Sequence, residues 1–417
     1  MQTSARSFGA MGEIDRELLF EHKFTTDMDF RSNFDKIKCF RVMDEEGNIV
    51  NKGNYHKMVD PEKLRKMYET MVTINEADVV FNQAQRQSRI SFYMTQTGEE
   101  ASNIGTAAAI EDQDLIFPQY RESGSFLWRG FSIQQMAHQL CGNYKDLGDG
   151  KQMPVHYGSK DLNICTVSSP LCTQLPQAAG AGYKYRINGE DKIAITYFGE
   201  GAASEGDFHP ALNFAATLRC QTLFYCRNNM YAISTPIDDQ YAGDGIAVRG
   251  MAYGMPTIRV DGNDLFAIYA ATKQAREIIM REKRPVLIEA ISYRVGDHST
   301  SDFSAAYRNE EEMKKWGSLL ERFSNPIARL EKYMIREKLI SADQNEKLRK
   351  DARDMVRDSL KAANELPKSP IDGLFTDVYK EMPNHILEQR EDLRNHLRKY
   401  PKEYNLGYFK DGEKWIK

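Results

Sequence analysis

An α/β fold, with a mostly parallel sheet covered by helices on both faces, is what this sequence predicts, and three observations predict it. Short, nearly continuous apolar runs read as strands buried on both faces, helical periodicity fills the intervals between them, and the alternation persists from about residue 90 to 295. Around this core the chain is expected to carry an N-terminal arm over residues 1–60 and a helical region over 310–417, which leaves 61–309 as the α/β domain. A chain of 417 residues is long enough to bury a sizeable core.

Composition excludes several function classes. A formal charge of -4 and a pI near 6.1 give no reason to expect nucleic acid or an anionic membrane as partner. No apolar run approaches the roughly 18 residues that span a bilayer, and the mean hydropathy of -0.59 agrees. The six cysteines, at 39, 141, 165, 172, 220 and 226, lack any CxxC spacing and read as free thiols in a reducing compartment.

Residues 1–12, MQTSARSFGAMG, contain Arg6 and no acid, which suits either the remnant of a mitochondrial targeting segment or a flexible start. Residues 13–60 read as an extended arm, wrapping a partner or disordered, with one small hairpin at FRVMDEEGNIV that turns at Glu46, Gly47 and Asn48. From Asp60 to about residue 87 the steps between Leu64, Met67, Met71, Ile74, Val79 and Val80 predict a helix. A turn at Gly98 then leads into a small-residue helix, and Leu115, Ile116 and Phe117 form a strand ending at Gln119, Tyr120 and Arg121. Residues 148–174 lack periodicity and are rich in turn formers, as functional loops commonly are.

The most informative stretch runs from Lys192 to Asn229. An apolar run over 193–198 stops at Gly199, Glu200 and Gly201. A helix follows, with Asp207 as its expected cap, Pro210 in its first turn, and Ala211, Phe214, Ala215 and Leu218 at helical spacing. A second apolar run over 222–226 ends at Arg227, Asn228 and Asn229, completing a strand-helix-strand unit whose strands should be parallel. Further strands are expected at PTIRVDGND and over 285–293, separated by a helix over 264–282 with Leu265, Ile268, Ala271 and Ala275 on one face. Beyond residue 310 the sequence is charged and helix-forming, with Leu319, Leu320 and Phe323 starting one apolar face; it reads equally as a helical cap or an interface.

Ligands of open parallel sheets bind beyond the carboxyl ends of the strands. Glu200 and Asn229 both sit at such ends, so a carboxylate and an amide oxygen converge, a pair suited to magnesium, whose shell substrate phosphates usually complete. Glycine lets the backbone approach, and a helix start offers amide donors to an anion. Arg121 could clamp a diphosphate. His298, in the polar loop RVGDHSTSDFSAAYR, supplies an imidazole with a pKa expected near neutral for proton exchange. His156, in the 148–174 loop, is left without a role.

The GEG at a strand end followed about thirty residues later by Asn-Asn resembles the thiamine diphosphate signature, and GEGAASEGD with CRNNMYAIST resembles the alpha subunits of the branched-chain 2-oxo acid dehydrogenase family. The resemblance implies the thiamine diphosphate-binding fold, with magnesium held by Glu200, Asn229 and the backbone oxygen of Tyr231. It implies that Tyr120, Arg121, Gly201, Ala202, Arg227 and His298 serve the cofactor, with Ser169 and Leu171 at its rings. Ser168, Pro170, Thr173 and Gln174 match a family potassium site. His298 would serve the acyl-transfer step as the catalytic residue. Ser299 would be phosphorylated by a dedicated kinase and released by a phosphatase, and Asn309, where many members have a second serine, implies control at one site. Similarity further implies oxidative decarboxylation of branched-chain 2-oxo acids in the mitochondrial matrix, acyl transfer to a lipoyl-bearing transacylase core, and a heterotetramer of two alpha and two beta chains. The beta chain would supply the carboxylate for the aminopyrimidine. A pyruvate- or acetoin-type alpha subunit and a catalytically silent regulatory subunit are the alternatives.

Overall fold

The computed structural model describes residues 26–28, 30, 35–308 and 325–417. The chain divides into two compact units, Met1–Lys36 and Ile37–Lys417. The described residues of the first, Met28 and Phe30 among them, are exposed. Expectations for residues 1–12, for Asn309 and for the face of Leu319, Leu320 and Phe323 lie outside the described residues.

The strands of the second unit are β1 (Cys39–Phe40), β2 (Leu115–Phe117), β3 (Ala194–Gly199), β4 (Thr222–Asn228), β5 (Tyr231–Ala232), β6 (Thr235–Pro236), β7 (Thr257–Asp261) and β8 (Val286–Ile291). β5 and β6 form a small antiparallel ribbon, while the other six run parallel in one sheet in the order β1-β7-β8-β4-β3-β2. Side chains alternate across this sheet. Ile195, Tyr197, Leu223, Tyr225 and Ile288 enter one apolar core, and Phe198, Phe224, Cys226 and Leu287 enter the other. Both faces of the strands are therefore buried, which is why they read as unbroken apolar runs rather than alternating ones.

The main helices are α1 (Pro61–Arg86), α2 (Glu100–Ala109), α3 (Ile133–Cys141), α4 (Gln174–Asn188), α5 (Phe208–Thr217), α6 (Leu265–Glu282), α7 (Pro326–Arg336), α8 (Ala342–Asn364) and α9 (Asn384–Lys399), of which α4 and α6 pack directly on the sheet. α1 begins as its sequence predicts, with Pro61 in the first turn and the Asp60 carboxylate accepting from the Lys63 amide at 2.8 Å. Its buried stripe contains Leu64, Met67, Met71, Ile74 and Val80, but Val79 falls off that stripe and is 43% exposed. α2 is buried along its whole length, and its small residues permit close approach; a Cβ at Gly105 would lie 2.9 Å from Ile268 of α6. α5 departs from expectation twice. Asp207 precedes it but makes no capping hydrogen bond, and Phe214 and Leu218 face outward while Ala211 and Ala215 face the core.

The hairpin expected before residue 50 is present, with Met43 bridged to Ile49, an Asp44 amide donating to the Asn48 carbonyl at 2.9 Å, and Gly47 at φ +77°. It is joined to the sheet rather than free of it. β1 pairs with β7, Val42 and Met43 are fully buried, and both their amides donate to Asp264, the residue that also caps α6. At the other end of the chain, α8 starts with a capping box at Ser341 and Gln344 and sends Val356, Leu360 and Ala363 into the main core. A smaller apolar cluster of Ile371, Leu397, Leu406 and Trp415 lies beyond it. All six cysteines are free, as expected. Among the described residues, no helix is long and apolar enough to cross a membrane.

Candidate active site

The carboxyl ends of β2, β3 and β4 open onto one cavity of about 410 Å³. Eleven of the residues singled out in the sequence line it: Tyr120, Arg121, Ser169, Leu171, Glu200, Gly201, Ala202, Arg227, Asn229, Tyr231 and His298. Parallel pairing explains the convergence. Phe198 lies opposite Cys226 and Gly199 opposite Arg227, so the turns that follow β3 and β4 emerge side by side. Gly201 is required there, because a Cβ would lie 2.5 Å from the Cβ of Ala232.

Glu200 is 2% exposed, and one of its oxygens, Oε2, accepts from the Asn229 amide at 3.3 Å while Oε1 has no hydrogen-bond partner. Burial pushes this carboxyl up to about 7, and the nearby charge of Glu99 adds to the shift. An orphaned, buried carboxylate oxygen is costly unless a cation or donor meets it. Among the described residues no three His, Cys, Asp or Glu side chains form a ready-made metal cluster. One carboxylate with amide and backbone oxygens instead suits a hard cation whose remaining ligands come from a phosphate.

Two buried acids that the sequence reading passed over hold this arrangement. Glu99 ion-pairs with Arg227 through one oxygen and accepts from the Asn229 side-chain amide at 2.7 Å through the other. Glu122 lies 2.7 Å from Arg227 Nε. Burial alone would lower the Arg227 pKa, but the Glu122 and Glu99 carboxylates outweigh it and keep the guanidinium charged. Glu99 is correspondingly pulled below the usual carboxylate range against its own burial, whereas burial wins at Glu122 and raises it. The signal for Glu99 was the doubled acid in TGEEA before a small-residue helix, which by itself reads as a solvated helix start.

The family model for the dehydrogenase E1 component matches residues 68–372, a span that contains every wall of this cavity. The chain belongs to the dehydrogenase E1 component family. Over 413 residues it is 49% identical to "2-oxoisovalerate dehydrogenase subunit alpha, mitochondrial" of Dictyostelium discoideum, covering 99% of this chain and 92% of the relative. The human protein of the same name is 47% identical over 89% of this chain and 83% of its own length. "2-oxoisovalerate dehydrogenase subunit alpha 1, mitochondrial" of Arabidopsis thaliana is 45% identical over 92% of this chain and 81% of its own. Membership of the E1 family implies thiamine diphosphate as cofactor.

In this E1 chain His298 does not carry the near-neutral pKa expected of it. Burial and the Arg121 and Arg294 guanidiniums push its ring down to about 3. Arg121 donates to the His298 carbonyl at 2.5 Å and to ring Nδ1 at 3.2 Å, so the neutral ring keeps its proton on Nε2. The loop is pinned by Asp302, whose carboxylate accepts from the His298 amide and the Tyr307 hydroxyl, both at 2.7 Å. Ser299 follows His298 but does not line the cavity; its Oγ accepts from the Ser301 amide at 3.2 Å.

Ser168, Pro170 and Thr173, in the loop that enters α4, and Gln174, its first residue, also lie outside the cavity wall. The Thr173 hydroxyl donates to the Pro170 carbonyl at 3.2 Å and lies 3.5 Å from the Ser168 hydroxyl, so three oxygens converge. The Gln174 side-chain nitrogen donates to the Tyr197 carbonyl at 2.9 Å, tying this loop to β3.

Proposed function

We propose that this chain is the alpha subunit of a thiamine diphosphate-dependent dehydrogenase that decarboxylates branched-chain 2-oxo acids, such as 3-methyl-2-oxobutanoate, and acylates a lipoyl group. The observation that carries the reading is the buried, partnerless Oε1 of Glu200, a residue that lines the same cavity as Asn229 and Arg121. The names of the relatives supply the substrate class, the alpha-subunit role and the mitochondrial location, from which the matrix follows. A beta subunit would complete the site in a heterotetramer of two alpha and two beta chains, with a lipoyl-bearing transacylase core as acyl acceptor.

On this reading Glu200, the Asn229 side chain and the Tyr231 carbonyl hold magnesium, and the converging oxygens of Ser168, Pro170 and Thr173, with Gln174, hold potassium. When bound, thiamine diphosphate supplies a nucleophilic carbon and an electron sink for decarboxylation. Tyr120, Arg121, Arg227 and the backbone at Gly201 and Ala202 orient the diphosphate end, while Ser169 and Leu171 orient the ring end. A diphosphate beside Arg121 would offset one of the cations that depress His298, moving its ring back toward the range in which it can exchange a proton. A kinase acting on Ser299, reversed by a phosphatase, would place negative charge next to that histidine.

The test is turnover of 3-methyl-2-oxobutanoate and pyruvate, side by side, by the chain reconstituted with its beta partner, thiamine diphosphate and magnesium. A branched-chain preference that requires both chains is expected. A pyruvate preference would move the substrate assignment, and no turnover with an assembled partner would leave a silent subunit.

A further inference from the structure

Val155, Tyr157 and the histidine between them form a rigid element that the site's chemistry has not yet used. Val155 and Tyr157 are each 1% exposed, and Tyr157 packs on Phe126 and Phe131. Val155 adopts φ +74°, a conformation that a β-branched residue takes only when its surroundings impose it. Gln139 imposes it: its side-chain nitrogen donates to the Met153 carbonyl at 2.8 Å, and its oxygen accepts from the Val155 amide at 2.9 Å. The Tyr157 carbonyl in turn accepts from the Val167 amide at 3.0 Å. The ring of His156 is therefore aimed by buried neighbours on both sides.

In its neutral form that ring has one self-consistent pattern of hydrogen bonds. Nδ1 lies 3.2 Å from the Pro154 carbonyl, which can only accept, so Nδ1 carries the proton. In the neutral ring Nε2 is then an acceptor, and the Ser169 hydroxyl, 2.6 Å away, must donate to it. Ser169, an exposed residue, lines the cavity, and with its hydrogen committed to His156 its hydroxyl has only lone pairs to offer a ligand there.

We propose that His156 is a positioning residue that fixes Ser169 as a hydrogen-bond acceptor, so that this wall of the cavity recognises an N–H donor on the ring end of the ligand. The inference deepens the reading of the cavity as a cofactor site and rests on it for the ligand, but the polarity of the pair is a property of the chain alone.

Two measurements test it. In the full-length chain labelled with ¹⁵N-histidine, eight rings are present, and the one lost in His156→Gln should carry its proton on Nδ1 alone. Ser169→Ala should shift that ring's Nε2 resonance. A ring protonated on Nε2 overturns the proposal. In the chain assembled with its partner, thiamine diphosphate affinity should fall about 3- to 10-fold in His156→Phe and in Ser169→Ala, the range of one lost neutral hydrogen bond. The double variant should be no weaker than the weaker single one, and His156→Gln, whose side-chain oxygen can still accept from Ser169, should recover to within about twofold. Multiplying losses, or full affinity in His156→Phe, overturn the proposal. A parent complex that binds no cofactor would refute the cofactor reading instead, and the tautomer spectrum would still decide the pair.

Discussion

Glu99→Gln isolates what the hidden acid contributes. Its carboxylate uses both oxygens, one on Arg227 and one on Asn229, and all three groups are buried. The glutamine amide has a single oxygen, so it can satisfy one of those donors and must turn its own N–H toward the other. Removing one partner of a buried ion pair destabilises by about 3–5 kcal/mol when the remaining charge is stranded. Arg227 is not stranded, because Glu122 stays within 2.7 Å of Nε, so the loss should approach that of a single hydrogen bond to a charged group, about 2–3 kcal/mol. The functional effect should be of similar size. Asn229 is oriented by its donation to Glu99, and if Asn229 holds magnesium as proposed, losing the group that aims it should lower metal affinity about 10- to 100-fold. Urea unfolding gives the first quantity, and calorimetry of thiamine diphosphate binding with and without magnesium, on the chain assembled with its partner, gives the second. Glu122→Gln is the control: it weakens the same guanidinium pair without touching the Asn229 amide, so it should lower stability and spare the magnesium dependence. The reasoning fails if Glu99→Gln binds within twofold of the parent, or if Glu122→Gln loses magnesium dependence equally.

Three further outcomes follow from other parts of the chain. Burial pushes Asp78 and Glu100 both up to about 7, so their contribution to stability is fully present below their unfolded values of 3.8 and 4.5 and is lost as pH rises through about 7. Asp78→Asn should therefore flatten the decline in unfolding free energy between about pH 4 and 7, and an unchanged slope by urea titration would contradict this. In α4, a Cβ at Gly182 would overlap the Thr222 hydroxyl and come within 2.9 Å of the Gln221 backbone, whereas one at Gly180 meets nothing within 4 Å. Gly182→Ala should thus lose about 1–3 kcal/mol by overpacking while Gly180→Ala gains about 0.5–1 kcal/mol from backbone entropy, a difference in sign that thermal melts would detect. Phosphorylation of Ser299 adds a charge of about -1.5 to -2 to the loop that Asp302 pins through the His298 amide. Limited proteolysis should then cut within 296–303 and not in Ser299→Ala; protection of the phosphorylated loop would count against a disordering role.

How far the sequence carried is decided by the range of the forces involved. β3, β4 and their strand-end residues were legible because an apolar run, a glycine turn and a helical period are all local signals, and parallel pairing then brings Glu200 and Asn229 together without further information. The order of the sheet was not legible, because β8 slips between β4 and β7 through pairings that no local pattern encodes, and the two residues of β1 are too few to carry a period. Glu99 and Glu122 were missed for a related reason. A carboxylate in a turn reads as solvated until the Arg227 guanidinium, more than a hundred residues away, is found buried between the two. His298 shows the same limit in its chemistry rather than its position: its place in the cavity was anticipated, but its neutrality depends on burial and on Arg121 and Arg294, which follow different strands. A residue type at a strand end thus identifies where chemistry can occur. Its charge state is set by neighbours the sheet brings in, which is why the magnesium dependence of Glu99→Gln bears on the mechanism more directly than replacement of any residue the motif itself names.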